Sequence, residues 1–192
     1  MRTVKFVLAV AAVLTLVSAA AQAQDMPPKV WIQTSMGDFL VELDPAHAPL
    51  SVENFLRYVN EGHYDGTIVY RVQPGFVIQL GSYNPDLSTR EVHDPIPLES
   101  DNGLSNLRGS LAMARDDPPD SAKAEFFVNL ADNPGLDRSD AIGQLGYAVF
   151  GRVVYGMEVV DAISMVALNN EGVFENANPA MPVIVTRAVL AP

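Results

Sequence analysis

The strongest constraint on the fold is a series of short apolar segments, rich in β-branched and aromatic residues, that Gly, Pro and polar residues separate. Alternating apolar residues on either side of Met36-Gly37-Asp38 predict two paired strands between Lys29 and Asp44. Further strands are predicted over residues 67–72, 76–80, 109–114, 125–130, 147–153 and 182–190. Strands and helices do not alternate as they do in parallel-sheet proteins, so the pattern predicts a closed antiparallel sheet.

Two segments have helical periodicity. Over residues 49–61 the apolar positions fall at i, i+3, i+4 and i+7, namely Val52, Phe55, Leu56 and Val59. Pro49 suits a first helical turn and Gly62 suits a helix end. A second helix is predicted over residues 156–166. The polar, proline-containing stretch 81–105 predicts a long loop.

The N-terminus has the three-part pattern of a secretory signal peptide. Arg2 and Lys5 precede an uncharged apolar run, and Ala21-Gln22-Ala23 supplies small residues around a spacer. A membrane anchor is the alternative, but a spanning helix needs about 20 apolar residues and this run is shorter. We therefore expect cleavage after Ala23, which leaves residues 24–192 as one exported domain without a membrane anchor.

Charge and cysteine content restrict the partners and the chemistry. Residues 1–23 hold two of the 12 basic residues and none of the 23 acidic ones, so the remainder has 10 basic and 23 acidic residues and a net charge of −13. Such a surface repels phosphate backbones, so nucleic acid is not an expected partner. The chain has no Cys, which excludes thiol catalysis and disulfides. The three histidines lack ligand spacing, so we expect no metal site.

Residue chemistry alone leads no further than an exported, β-rich domain, but four longer segments are more specific. In chain order they are YDGTIVYRVQPGFVIQLG (64–81), NGLSNLRGSLAMAR (102–115), EFFVNLADNPGLD (125–137) and GYAVFGRVVYG (146–156). They resemble segments of the cyclophilin-type peptidyl-prolyl cis/trans isomerases, in particular the periplasmic cyclophilins of Gram-negative bacteria. The resemblance spans residues 29–190. It implies a closed eight-stranded antiparallel barrel capped by two α-helices, with the substrate groove on its outer wall.

The resemblance also implies a set of site residues. Arg71 takes the position of the family's catalytic arginine. The substrate-binding positions are occupied by Phe76, Val77, Gln79, Ala114, Arg115, Glu125, Phe127, Leu136 and Tyr147. Without the resemblance, Phe76, Phe127 and Leu136 would be assigned to an ordinary core, since apolar side chains are usually buried. With it, they are expected to wall a pocket for the proline ring, and no cofactor or metal is required.

This chain departs from the family pattern at four of these positions or their neighbours. Tyr70 replaces a His, Val77 a Met, Gly135 a Trp or Phe, and Glu125 a Gln. A carboxylate at position 125 could form an ion pair with Arg71 and compete for its donors, or it could pre-orient the guanidinium. The first hypothesis is favoured here, and it predicts that Glu125→Gln raises turnover.

Three functions are therefore compared. The leading hypothesis is a monomeric periplasmic isomerase that acts on X–Pro bonds of unfolded or partly folded exported polypeptides. The alternative is a catalytically weakened module of the same fold that binds proline-containing segments. A hollow-barrel carrier of small ligands, of lipocalin type, would instead need an empty interior.

Overall fold

The computed structural model describes residues 26–172 and 174–192, so the predicted signal peptide at 1–23 lies outside the described residues. Eight strands form an antiparallel barrel: β1 (Lys29–Thr34), β2 (Gly37–Leu43), β3 (Ile68–Gln73), β4 (Val77–Leu80), β5 (Ser110–Met113), β6 (Phe126–Asn129), β7 (Val149–Tyr155) and β10 (Val183–Leu190). The barrel closes in the order β1-β10-β3-β4-β6-β5-β7-β2. The predicted fold class is confirmed.

Two helices and a small sheet complete the described fold. The helices are α1 (Pro49–Asn60) and α2 (Met157–Ser164), and the small sheet pairs β8 (Leu168–Asn169) with β9 (Asn178–Pro179). None of the helices in the described part of the chain has both the length and the apolar character that crossing a membrane requires.

Helix α1 covers the barrel with the apolar face that its sequence period predicts. Its N-terminal N–H groups are satisfied by Glu99, whose carboxylate accepts hydrogen bonds from the backbone nitrogens of Leu50 (3.0 Å) and Ser51 (2.7 Å). At its centre, the ring of Phe55 packs against three rings of the barrel core, those of Tyr64, Phe126 and Phe150, with centroids 5.2–5.3 Å apart. These contacts tie the helix to strands β6 and β7.

The interior of the barrel is filled. Fully buried side chains include Ile32, Phe39, Phe55, Ile78, Leu80, Leu111, Phe126 and Phe150. Burial of this many large apolar groups stabilises the fold, and in the described part of the chain they fill the space that a hollow barrel would offer to a ligand. The hollow-barrel hypothesis is therefore wrong, and any substrate groove must lie outside.

Element boundaries differ from the predicted ones by one or two residues. The strand predicted over 147–153 is Val149–Tyr155, and the helix predicted over 156–166 is Met157–Ser164. The small sheet of β8 and β9 was not predicted, because two-residue strands show no periodicity.

Candidate functional site

A second apolar cluster lies on the outer face of the barrel. Successive side chains of a strand point to opposite faces, so residues that alternate with core residues point outward. Val77 precedes the core residue Ile78 on β4, and Phe127 lies between two core residues on β6. The outward cluster comprises Val77, Ala112, Ala114, Phe127 and Val149, with Phe76, Leu104, Leu136 and Tyr147 packed against it.

A cleft of about 290 Å³ opens over this cluster. It is lined by Arg71, Phe76, Val77, Gln79, Ala114, Arg115, Phe127, Leu136, Tyr147 and Phe174. The structure thus brings together nine of the ten site residues predicted from the sequence. The tenth, Glu125, lines an adjoining cleft of about 430 Å³. Gln79, Ala114, Arg115 and Phe174 line both clefts.

The far wall of the smaller cleft is held by aromatic and backbone contacts. Phe127 and Tyr147 meet edge to face, with ring centroids 5.5 Å apart and planes at 81°. The backbone nitrogen of Tyr147 donates to the carbonyl of Leu136 (3.0 Å), which joins two lining residues. Arg115 stacks over the Tyr147 ring at 4.9 Å and donates from Nε to the carbonyl of Gly146 (3.0 Å). This wall therefore combines apolar side chains with one arginine, Arg115.

One side of this wall lacks a ring. Gly135 lies in the short 3-10 turn Pro134–Leu136, and a Cβ placed on it would meet no atom within 4 Å. The surroundings therefore leave room for at least the first atom of a side chain, and Gly135 adds no side chain to the wall beside Leu136.

Arg71 reaches the cleft because of a bulge in strand β3. Val69 pairs with Leu80 and Arg71 with Gln79, so Tyr70 has no partner on β4. A bulge of this kind shifts the side chains that follow it to the other face of the strand. Arg71 and Gln73 therefore both point away from the core, while Tyr70 is buried beside them.

The Arg71 guanidinium is held in a defined position. Nη1 donates to Oε1 of Gln79 (3.2 Å), and Nη2 donates to Oε1 of Gln73 (2.9 Å). The Cζ of the guanidinium lies over the ring of Phe174, 4.5 Å from the ring centroid. Within the described residues two of the five N–H donors of an arginine are engaged, so others remain for a substrate.

Glu125 contacts Gln79 and Tyr70 instead of Arg71. Its Oε2 accepts hydrogen bonds from the Tyr70 hydroxyl (2.5 Å) and from Nε2 of Gln79 (3.2 Å). Among the described residues Glu125 and Arg71 form no ion pair, so the expected ion pair is wrong, while the effect of Glu125→Gln on turnover stays a prediction. Burial, and secondly the Glu125 carboxylate, raise the pKa of Tyr70, which keeps its hydroxyl a donor.

Two contacts of the site were missed by sequence reasoning. Gln73 accepts from Arg71 because the bulge places both on one side of β3. Phe174 lies in the connection between β8 and β9, in a stretch of Gly, Glu and Asn residues. The signal for it in the sequence was a single aromatic residue in a loop rich in Glu and Asn.

Comparison with known proteins points to one family. Residues 29–189 match the family model described as cyclophilin type peptidyl-prolyl cis-trans isomerase/CLD. The chain is 44% identical over 182 residues to peptidyl-prolyl cis-trans isomerase A of Dickeya dadantii, covering 93% of this chain and 94% of that protein. It is 43% identical over 148 residues to peptidyl-prolyl cis-trans isomerase B of Escherichia coli, covering 77% and 90%.

A solved structure has the same fold. The crystal structure of a cyclophilin type peptidyl-prolyl cis-trans isomerase of Cryptosporidium parvum superposes with a TM-score of 0.73 at 24% sequence identity. The superposition covers 86% of this chain and 98% of that one.

Proposed function

This chain belongs to the family of cyclophilin-type peptidyl-prolyl cis-trans isomerases, and from that premise we propose that Arg71 is its catalytic donor. We propose further that the protein acts, as a periplasmic monomer, on X–Pro bonds of exported polypeptides. The observation that carries the assignment of Arg71 is its position. A guanidinium with free N–H donors lies at the rim of an apolar cleft of about 290 Å³.

The chemistry of the reaction suits an arginine. Rotation about a peptide bond has a barrier of about 18–20 kcal/mol, because the nitrogen lone pair is delocalised into the carbonyl. Twisting the X–Pro bond localises that lone pair and makes the proline nitrogen a hydrogen-bond acceptor. A fixed donor that bonds this nitrogen therefore binds the twisted state better than either planar isomer, which lowers the barrier. Arg71 keeps its charge at any working pH.

The apolar cleft supplies the anchor that rotation needs. In the proposed complex the proline ring packs against Phe76, Phe127 and Leu136, which are all lining residues of the cleft. With the ring held, the segment before the proline turns about the X–Pro bond. The Gln79 side chain, which already bonds Arg71, lies beside the path of the substrate backbone.

The test of Arg71 is a protease-coupled assay on a short Ala-Pro-Phe peptide. A charge-assisted hydrogen bond made only in the twisted state contributes about 1.5–3 kcal/mol, so we expect Arg71→Ala to lower kcat/KM roughly 10- to 100-fold. The kcat/KM of Arg71→Lys should lie between those of wild type and Arg71→Ala, because Lys keeps the positive charge but lacks the planar fork of the guanidinium. Arg152→Ala is the matched control, since Arg152 is 70% exposed and bonds Glu42 away from the clefts.

Two outcomes would count against this assignment. A folded Arg71→Ala variant with a rate within twofold of wild type would show that Arg71 is not the donor. A wild-type protein that binds the peptide without accelerating its isomerisation would favour the alternative, a catalytically weakened binding module. The four departures from the family pattern are the reason for considering that alternative.

The export part of the proposal rests on the pattern of residues 1–23. We expect expression in a Gram-negative host to yield a periplasmic protein whose mass corresponds to a chain that starts at Gln24. A chain that lacks residues 1–23 is the control and should stay in the cytoplasm. Recovery of the uncleaved chain from the cytoplasmic or the membrane fraction would contradict the proposal.

A further inference from the structure

The connection between β8 and β9 places an aromatic side chain at the boundary of the two clefts. Phe174 is 37% exposed and lines both of them. It belongs to neither of the two apolar clusters of the barrel, so core packing does not explain an aromatic residue here. Its neighbours are instead Arg71 and Tyr70.

The backbone around Phe174 is anchored to the strand that carries Arg71. The carbonyl of Ala177 accepts a hydrogen bond from the backbone nitrogen of Val72 (2.7 Å), the residue after Arg71. Asn170 Oδ1 accepts from the backbone nitrogen of Asn176 (3.0 Å), and β8 pairs with β9 at the base of the connection. A hydrogen bond to β3 therefore anchors the connection three residues after Phe174.

The ring restrains a motion of Arg71 that hydrogen bonds leave free. Gln79 and Gln73 accept from Nη1 and Nη2, and both bonds act in or near the plane of the guanidinium. In-plane bonds restrain tilting out of that plane only weakly. The Cζ of Arg71 lies over the Phe174 ring, 4.5 Å from its centroid, and the same ring is nearly parallel to that of Tyr70, with centroids 6.2 Å apart and planes at 22°. An arginine stacks well on an aromatic face, with a gain of about 0.5–1 kcal/mol at exposed sites.

We propose that Phe174 is a positioning residue of the isomerase, which holds the Arg71 guanidinium so that its free N–H donors point at the proline nitrogen. The inference rests on the proposed role of Arg71. It assigns to the β8–β9 connection a part in catalysis that does not require contact with the substrate. If the guanidinium is already held in place, it does not have to be ordered while the X–Pro bond twists. Loss of the Phe174 ring should therefore lower kcat more than it changes KM.

The experiment compares Phe174→Leu with Phe174→Tyr, using exchange spectroscopy on a saturated Ala-Pro-Phe peptide to separate kcat from KM. We expect Phe174→Leu to lower kcat about three- to fivefold, as expected for a contact of this size, with KM changed less than twofold. Phe174→Tyr keeps the ring and should stay within twofold of wild type. Tyr155→Leu is the control, because it removes an exposed aromatic ring that packs on Trp31 instead of on an arginine.

A second measurement shows whether Phe174 acts through Arg71. In an Arg71→Ala background Phe174→Leu should have no further effect on kcat/KM, and in the otherwise unchanged protein it should shift the Nε–H resonance of Arg71. Unchanged kcat, a rise in KM alone, or an equal loss in both backgrounds would each overturn the proposal. A wild type without isomerase activity would overturn the proposed function instead, and the Arg71 resonance would still test the positioning.

Discussion

At the scale of single residues, Glu125 stands where the family pattern has a Gln, and its carboxylate is linked to Arg71 only through the side-chain amide of Gln79. A carboxylate can only accept hydrogen bonds, so Gln79 must turn its NH2 group to Glu125 and its carbonyl to Arg71. Tyr70 donates to the same carboxylate oxygen and fixes it from the other side. The four side chains form one hydrogen-bonded chain, in which each member determines the orientation of the next.

This arrangement reverses the expected effect of Glu125→Gln. A Gln at position 125 can still accept from Gln79, but it can also present its own NH2 group, so we expect kcat/KM to fall up to about threefold. Glu125→Ala removes the acceptor, and a lost hydrogen bond of about 1.4 kcal/mol corresponds to roughly a tenfold loss. The protease-coupled assay measures both, with the exposed Glu158→Gln as control. A faster Glu125→Gln variant would restore the hypothesis of competition.

Most residues of the site could be predicted from the sequence because they lie in the four segments that carry the resemblance to the family, whereas apolar periodicity alone would have assigned several of them to the core. Arg71, Phe76 and Gln79 lie on or between two strands joined by a tight turn, and Phe127 belongs to the next strand of the sheet. Phe174 could not be found in this way. Its contact with Arg71 depends on the pairing of β8 with β9 and on one backbone bond from Val72, neither of which leaves a periodic pattern.

At the scale of elements, the alternation of apolar residues predicted the strands. It failed where a backbone hydrogen bond to a turn replaces the pairing with a neighbouring strand. Tyr147 continues the apolar run into β7, but its backbone nitrogen donates to Leu136 in the 3-10 turn, so the strand begins at Val149. In β3 the run of apolar residues hides the bulge at Tyr70, because the buried side chain of a bulged residue is as apolar as its neighbours. The bulge is what brings Arg71 to the outer face.

At the scale of the whole molecule, burial of tyrosine hydroxyls sets a limit on stability at high pH. Tyr64 is fully buried, and its hydroxyl donates to the carbonyl of Ala124 (3.0 Å). Desolvation raises the pKa of Tyr64 well above 10, and it raises the pKa of Tyr58 and Tyr70 in the same direction. Above pH 10 the unfolded chain therefore releases protons that the folded protein retains. The free energy of unfolding falls as the pH rises through this range.

We expect the thermal midpoint of wild type to decrease more steeply between pH 9 and 11 than that of Tyr64→Phe. Below pH 9 the variant should be less stable by about 1 kcal/mol, because it loses the bond to Ala124. Above pH 10 each tyrosine that cannot ionise in the folded protein lowers the free energy of unfolding by about 1.4 kcal/mol per pH unit. The variant lacks one such tyrosine, so its stability falls less steeply. Tyr155→Phe, at a 62% exposed position, serves as control. Parallel curves for wild type and Tyr64→Phe would contradict this account.

The filled barrel, which leaves only the outer wall for binding, determines what shape of substrate the protein can accept. A polypeptide laid along an external groove needs neither a free end nor full unfolding, and its length beyond the groove makes no difference to the contacts. A proline in the middle of a long chain, or in a loop that protrudes from a nearly finished domain, can therefore be engaged as readily as one in a short peptide. Access to the X–Pro bond would then depend on how long the client leaves that loop uncovered.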